Sequence, residues 1–255
     1  MGPAWIYSPP GTALQIPVVR RNTGGTPIAT NALIVRLLAA AALALCTSAG
    51  AAEQDLSINA RLLLAARDGD TASVDRALQS GAAANARNRV GETALIIALK
   101  RGDAAMARRM LEAGTDVNLA AVNGVTPLMA AAFTGQAEMA DLLLAKGADV
   151  SALDRLDKNA MTYAAGTGQT QVVKTLLARG VDPNRVYHND LTALMWAAGF
   201  GKTETVKALL DAGARADLKD NRGKTAADIA REEKHEETAL LITRFPSSRA
   251  ADRGR

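Results

Sequence analysis

The sequence predicts an all-α solenoid of about six short helix-turn-helix units, and two series of glycines and a helical pattern of apolar residues predict it. Gly69, Gly102, Gly135, Gly168 and Gly201 recur every 33 residues. Gly81, Gly114, Gly147, Gly180 and Gly213 repeat at the same interval of 33. Between the two series, apolar residues fall at three- and four-residue steps, the spacing of one helix face. A fixed period of this length is the mark of stacked repeats, each burying its apolar face only against its neighbours.

The units run at about residues 56–87, 88–120, 121–153, 154–186, 187–218 and 219–246 within a predicted solenoid of residues 53–246. The first helix of a unit starts after a turn, as in Val90-Gly91-Glu92-Thr93-Ala94-Leu95, Asn123-Gly124-Val125-Thr126-Pro127-Leu128, Asp190-Leu191-Thr192-Ala193-Leu194 and Arg222-Gly223-Lys224-Thr225-Ala226-Ala227. Threonine there is an N-cap whose hydroxyl accepts from an orphan backbone N–H, and Pro127 stands at the first helical position, where its missing donor costs nothing. The first glycine series ends this helix in the left-handed conformation.

A second helix follows in each unit, with its apolar face made of Val74, Ala77 and Leu78, then Met106, Met110 and Leu111, then Met139, Leu142 and Leu143. Units 4 and 5 continue with Val172, Val173, Leu176 and Leu177, and with Val206, Leu209 and Leu210. The second glycine series stops it, and an extended turn leads on, as in Thr115 to Asn118 and Val181 to Asn184.

This order of turn, helix, helix and hairpin resembles the ankyrin repeat, with unit 3 as the closest copy. The resemblance covers roughly residues 55–245. Some positions depart from it. The histidine usual in that family after Thr-Pro-Leu is replaced by Ile96, Met129, Thr162 and Met195, which removes the family's Thr–His contacts. Unit 4 has Asp157 for the turn glycine and Asn159-Ala160-Met161 for Thr-Pro-Leu. Lys234 takes the mid-repeat glycine position in unit 6, and both end units lack parts of the motif, as capping units do.

Residues 1–52 lack the period and any acidic side chain, and carry prolines at 3, 9, 10, 17 and 27. After Arg36 the run Leu37 to Leu45 is far shorter than the roughly 20 residues of a membrane span. A short apolar run behind arginine and before the small residues Ser48 to Ala52 reads as a secretory signal, cleaved near Ala51 or Ala52. The expected location is therefore the periplasm or outside the cell, with no stable membrane insertion after cleavage; translation from Val19 or Val35 would give a more ordinary leader. An uncleaved alanine-rich helix before the solenoid is the alternative. Residues 247–255 read as a disordered tail.

Cys46, the only cysteine, falls in the predicted leader, so the mature chain has no thiol for a disulfide or a nucleophile. The whole chain has 30 basic and 26 acidic residues; removing Arg20, Arg21 and Arg36 leaves 27 against 26. Near-neutrality argues against a nucleic-acid footprint, which needs clustered cations.

Catalytic constellations are not found. His188 and His235 fall in different units, and no convergent His, Cys and carboxylate set suggests zinc. No serine sits in a Gly-x-Ser-x-Gly turn. Gly201-Lys202-Thr203 imitates the end of a P-loop, but the required earlier glycine is Trp196 and the segment before it is helical. No cofactor and no metal are expected.

The resemblance implies that hairpin tips and first helices line one concave side across which a protein partner binds, and that the chain is a monomer. The free positions there are Arg87, Arg89, Lys100 and Arg101 in unit 2, and Val122, Asn123 and Phe133 in unit 3. Arg155 and Leu156 follow in unit 4, then Tyr187, His188, Trp196 and Phe200 in unit 5 and Arg222 at the last unit. Lys158 and Tyr163 lie on the same side. Aromatic residues are only 3% of the chain, so their concentration here marks candidate anchors, because they bury much area at small entropic cost. Tyr163 and Trp196 are read equally well as packing between units.

The expected function is a non-catalytic protein-binding module. Resemblance to exported bacterial members leaves a role in oxidative-stress defence open. Toxin neutralisation, secretion as an effector, and an enzyme with a site built on the groove are the alternatives.

Overall fold

The computed structural model describes residues 57–245. The expected leader, its cleavage site, Cys46 and the tail at 247–255 lie outside the described residues. Among the described residues there are twelve α-helices and no extended strand, only an isolated antiparallel bridge between Val186 and Thr192. The helices form six pairs: α1 (Ile58–Asp68) and α2 (Thr71–Gln79), α3 (Ala94–Arg101) and α4 (Ala104–Glu112), α5 (Pro127–Thr134) and α6 (Ala137–Ala145). The series continues with α7 (Ala160–Thr167) and α8 (Thr170–Ala178), α9 (Ala193–Gly199) and α10 (Thr203–Asp211), and α11 (Ala226–Glu232) and α12 (Glu236–Arg244). No helix among them is long and apolar enough to cross a membrane.

Local chemistry sets the boundaries. Thr93, Thr126, Thr192 and Thr225 cap α3, α5, α9 and α11 as expected, and Asn159 does the same for α7 in the divergent fourth unit. Each accepts from the N–H three residues on, satisfying one donor that the helix start leaves orphaned. The missing family histidine is partly replaced. In units 3 and 5 the sulfur of Met129 or Met195 sits 3.5 Å from the N-cap N–H. Thr162 Oγ1 takes that proton in unit 4, as does Asp228 Oδ2 in unit 6. Ile96 has no acceptor to offer. Helices α9 and α11 end slightly before the expected stop, with Phe200 and Glu233 as C-caps, while Gly201 and Lys234 remain left-handed behind them.

The interior is one continuous cluster running from Leu62 to Ile242. The repeat converts sequence period into columns of side chains. Ala98, Ala131, Ala164, Ala197 and Ala230 form one such column, fully buried in units 2 to 6. With nothing beyond Cβ, they let the first helices approach closely, and first helices do contact each other more closely than second helices do. A stack that is tighter on one layer curves towards it, so α3, α5, α7, α9 and α11 line the inner side. Fully burying a Leu or Met side chain contributes about 1.5–3 kcal/mol, and Leu95, Leu128, Met161 and Leu194 form a second buried column.

An asparagine ladder, not anticipated from the sequence, ties units together. Asn85 Oδ1 accepts from Asp116 N, Asn118 from Asp149 N and Asn184 from Arg215 N, at 2.7–2.8 Å, and within unit 1 Asn59 accepts from Ala83 N in the same way. Asn118 and Asn184 also donate to the carbonyls of Gly147 and Gly213. Ser151 occupies the corresponding position between them, and its hydroxyl turns back to Asp149 instead.

Candidate functional site

The hairpin tips stack edge to edge along the inner side. Val122 N donates to Val90 O at 2.9 Å and Arg155 N to Asn123 O at 3.0 Å, so backbones touch directly. Glycine makes this possible in two ways. Gly91 and Gly124 have φ of +78° and +85°, and a Cβ added to either would come within 2.8 Å of backbone atoms of the next tip. Side chains are excluded by space as well as by conformation.

Unit 4 has Asp157 at this position, with φ of +54°, and a Cβ is therefore present where its predecessors have no room for one. The next tip stands off. No backbone bond joins His188 to Leu156, although the row resumes beyond, where Asn221 N donates to Asn189 O at 3.1 Å. Unit 5 is itself irregular. Asp190 takes the glycine position, and both Asn189 and Asp190 are left-handed. Tyr187 stands where Asn88, Asp154 and Asp220 brace their turns by accepting two backbone N–H groups each.

The gap left at this seam is a cleft of about 170 Å³ lined by Leu156, Asp157, Lys158, Tyr187, His188, Asn189, Leu191 and Trp196. Asp157 Oδ2 and His188 Nδ1 meet at its rim, 3.1 Å apart and both exposed. The Lys158 ammonium lies 4.8 Å from the Trp196 ring centroid and 5.8 Å from that of Tyr163. It has no carboxylate partner among the described residues.

From the cleft an aromatic strip extends along the first helices of three units. Phe133 meets Tyr163 edge to face with centroids 6.0 Å apart, and Trp196 stacks on Phe200 at 6.1 Å. Gly166 is the hinge of this arrangement: a Cβ there would touch both the Phe200 and Trp196 rings at 3.5–3.6 Å, so the rings already lie against the bare backbone of α7. Phe133 and Phe200 remain 45% and 48% exposed, whereas Tyr163 is buried and Trp196 half-buried. Tyr163 and Trp196 thus serve both readings, floor of the face and packing between units.

Electrostatics around the strip is governed by the buried turn carboxylates. Asp154 accepts from the Tyr163 hydroxyl at 2.5 Å as well as from Leu156 N and Lys158 N. Burial, together with that bond to a carboxylate, pushes the Tyr163 phenol well above its usual range. Burial also raises Tyr187, opposed by the neighbouring Asn159 amide. The Tyr187 hydroxyl and Asn159 Nδ2 are both buried without a geometrically formed hydrogen bond.

Leu156, Tyr187, His188 and Trp196 line the cleft, Phe200 stacks on Trp196 beside it, and Phe133 stands against Tyr163 at the other end of the strip. Val122 and Asn123 lie on the neighbouring tip, with Val122 50% exposed, and Arg155 is exposed beside Leu156. Arg89 is exposed at the far tip of unit 2. Several cations have structural employment. Arg87 donates to Gly91 O and to Ala120 O of the next hairpin, and Arg101 to Arg67 O of the preceding unit. Lys100 pairs with Glu92 at 2.6 Å, and Arg222 with the buried Asp220 at 2.8 Å. Gly166 and the opened seam at Asp157 were not read as parts of a site; an isolated glycine inside a helix was the available signal for the first.

Paired short helices, tight glycine tips and an inner layer of first helices define a helical repeat protein. The chain belongs to the ankyrin-repeat family. The family model described as ankyrin repeats (3 copies) matches residues 62–154 and 161–247, and that described as ankyrin repeats (many copies) matches residues 136–177. None of the curated proteins matches the chain. Ankyrin repeats are in general modules for binding other proteins.

Proposed function

We propose that this chain is an exported, non-catalytic module that binds a protein partner across the inner face of units 3 to 5. The observation that carries the reading is the strip from Phe133 through Tyr163 and Trp196 to Phe200, which keeps two phenyl rings nearly half exposed on a chain with 3% aromatic residues. Rings held in place by their neighbours lose little freedom when covered, which makes them effective anchors. Export rests on the apolar run Leu37 to Leu45 behind Arg36 and the small residues that follow it.

The test is capture of a partner from the exported fraction by the mature chain, with a Phe133→Ala/Phe200→Ala double variant as control. Specific capture lost in a still-folded double variant supports the reading; equal capture by the double variant removes the strip as the binding surface. The mass of the protein made from its own gene decides export, since an intact Met1 would exclude cleavage.

A further inference from the structure

The cleft between the tips of units 4 and 5 has a shape and a charge of its own. At about 170 Å³ it is smaller than the roughly 300–1,000 Å³ of small-molecule sites, and suits a single side chain. Leu156, Leu191, Tyr187 and Trp196 supply apolar walls, with Leu156 53% exposed at the mouth. Lys158 enters over the Trp196 ring with no carboxylate of its own. Along the tip row, Arg89, Arg155 and Lys219 are also exposed without an ion pair among the described residues, against two exposed acids, Asp190 and Asp157, the latter facing only His188, which carries charge only when protonated. The tip row therefore complements a negatively charged segment.

We infer that this cleft receives one apolar side chain of a partner's extended acidic segment, whose neighbouring Asp or Glu carboxylate pairs with the Lys158 ammonium. The inference rests on the protein-binding reading above and narrows it to one anchoring point. Asp157 acts here as a wedge together with the irregular tip it faces: Asp190 also carries a Cβ at the glycine position, but behind a left-handed Asn189, and at that next seam Asn221 still bonds to Asn189 O. Lys158 is the discriminating charge, poised by two aromatic faces. A carboxylate reaching it gains an ion pair partly shielded from water, where such pairs are stronger than on an open surface.

The wedge supplies a test that does not depend on damaging the fold. Asp157→Gly restores the residue that lets earlier tips close, so it is expected to fill the cleft with the protein's own backbone while keeping the solenoid intact. A phage-displayed library of linear peptides is selected on the full chain, and the enriched peptides are synthesised and titrated against variants. The expected result is a consensus of an apolar residue beside Asp or Glu. Affinity should fall by about tenfold or more in Asp157→Gly and in Lys158→Gln, and be largely kept in Lys158→Arg. Equal affinity for Asp157→Gly, a consensus without an acid, or no enrichment over an unrelated carrier protein would each overturn the inference. Peptides indifferent to Asp157→Gly but lost in Phe133→Ala/Phe200→Ala would remove the cleft and leave the wider face as a binding surface, so the two readings fail separately.

Discussion

Asp157 Oδ2 and His188 Nδ1 lie 3.1 Å apart across a seam where the backbones of successive tips do not bond. Elsewhere in the row, Val122 reaches Val90, Arg155 reaches Asn123 and Asn221 reaches Asn189 by main-chain bonds of 2.9–3.1 Å. A side-chain contact between exposed groups has replaced a backbone contact at this place. Exposed pairs contribute about 0–1 kcal/mol, so the replacement adds little stability, and its structural effect is the open cleft.

Asp157→Gly is therefore expected to stabilise the protein. The left-handed backbone at Asp157 costs a residue with a Cβ up to about 1–2 kcal/mol, offset by the extra freedom that glycine has in the unfolded chain. The expected gain is about 0.5–1 kcal/mol, read as a higher urea midpoint at unchanged slope. The opposite change, Gly124→Ala, places a Cβ 2.8 Å from the Asp154 Cα and should cost about 1–3 kcal/mol. If Asp157→Gly lowers the midpoint, the wedge explanation of the seam is wrong.

Ser151→Asn should add a missing rung to the asparagine ladder. Asn118 and Asn184, on either side, each accept one backbone N–H and donate to one carbonyl of the next unit. A net contribution of about 0.5–1.5 kcal/mol per hydrogen bond sets the expected gain at about 1 kcal/mol, after loss of the Ser151–Asp149 bond. The corresponding deletion, Asn118→Ala, should lose a similar amount. Chemical denaturation of both variants checks the pair, and opposite signs are required.

Period, helix starts and helix ends were legible because each depends on a residue and its near neighbours: Thr93 caps, Gly102 terminates, and the apolar steps of Met106 and Met110 select a face. The exposure of Phe133 and Phe200 was legible from position, since other units fill their columns with charged residues such as Lys100, Arg101, Glu232 and Glu233, or with small ones such as Gly166 and Thr167. The cleft was not legible. It arises where Asp157 faces a tip 31 residues later whose Asn189 and Asp190 are both left-handed, and how closely tips approach is invisible until Gly91 and Gly124 are seen against their neighbours. The sulfur acceptors of Met129 and Met195 were missed for a different reason: methionine reads as a core residue, and its weak acceptor counts only beside an unsatisfied N–H.

Tyr163→Phe isolates the phenol beneath the aromatic strip. Its hydroxyl is a donor to the buried Asp154 carboxylate, and hydrogen bonds to charged groups contribute about 1.5–3 kcal/mol. A loss in that range is expected near neutral pH, with the edge contact to Phe133 retained. The pH dependence follows from the direction of the shift. A phenol whose folded pKa is raised adds stability below its unfolded value near 10, and that stability is lost as pH rises towards the folded pKa. The alkaline decline of the parent should therefore exceed that of Tyr163→Phe, and Tyr187, also raised by burial, contributes to the decline that remains. Parallel curves above pH 9 or so would show that the Tyr163 hydroxyl gains nothing from Asp154.

At the acid end, Asp220 is the group to test. Burial opposes its ionisation, but the N–H groups of Lys224 and Arg222 and the Arg222 guanidinium outweigh that, and its carboxyl sits below the usual range. Asp228 is lowered as well, first by the Thr225 hydroxyl and N–H. Both belong to unit 6, the last among the described residues. A carboxylate with a depressed folded pKa contributes stability that is complete above the unfolded value near 4 and is lost as pH falls through the folded one. Acid should consequently loosen α11 and α12 before the centre of the stack, because repeats contribute to stability unit by unit. Asp220→Asn separates charge from geometry: Asn88 occupies the same column in unit 2 and its neutral amide oxygen accepts both turn N–H groups. The variant is expected to keep the turn, lose some stability at pH 7 through the broken pair with Arg222, and show a shallower decline below pH 4 or so in both melting and amide exchange of α11. A decline as steep as the parent's would mean that the acid sensitivity of this end originates in other carboxylates.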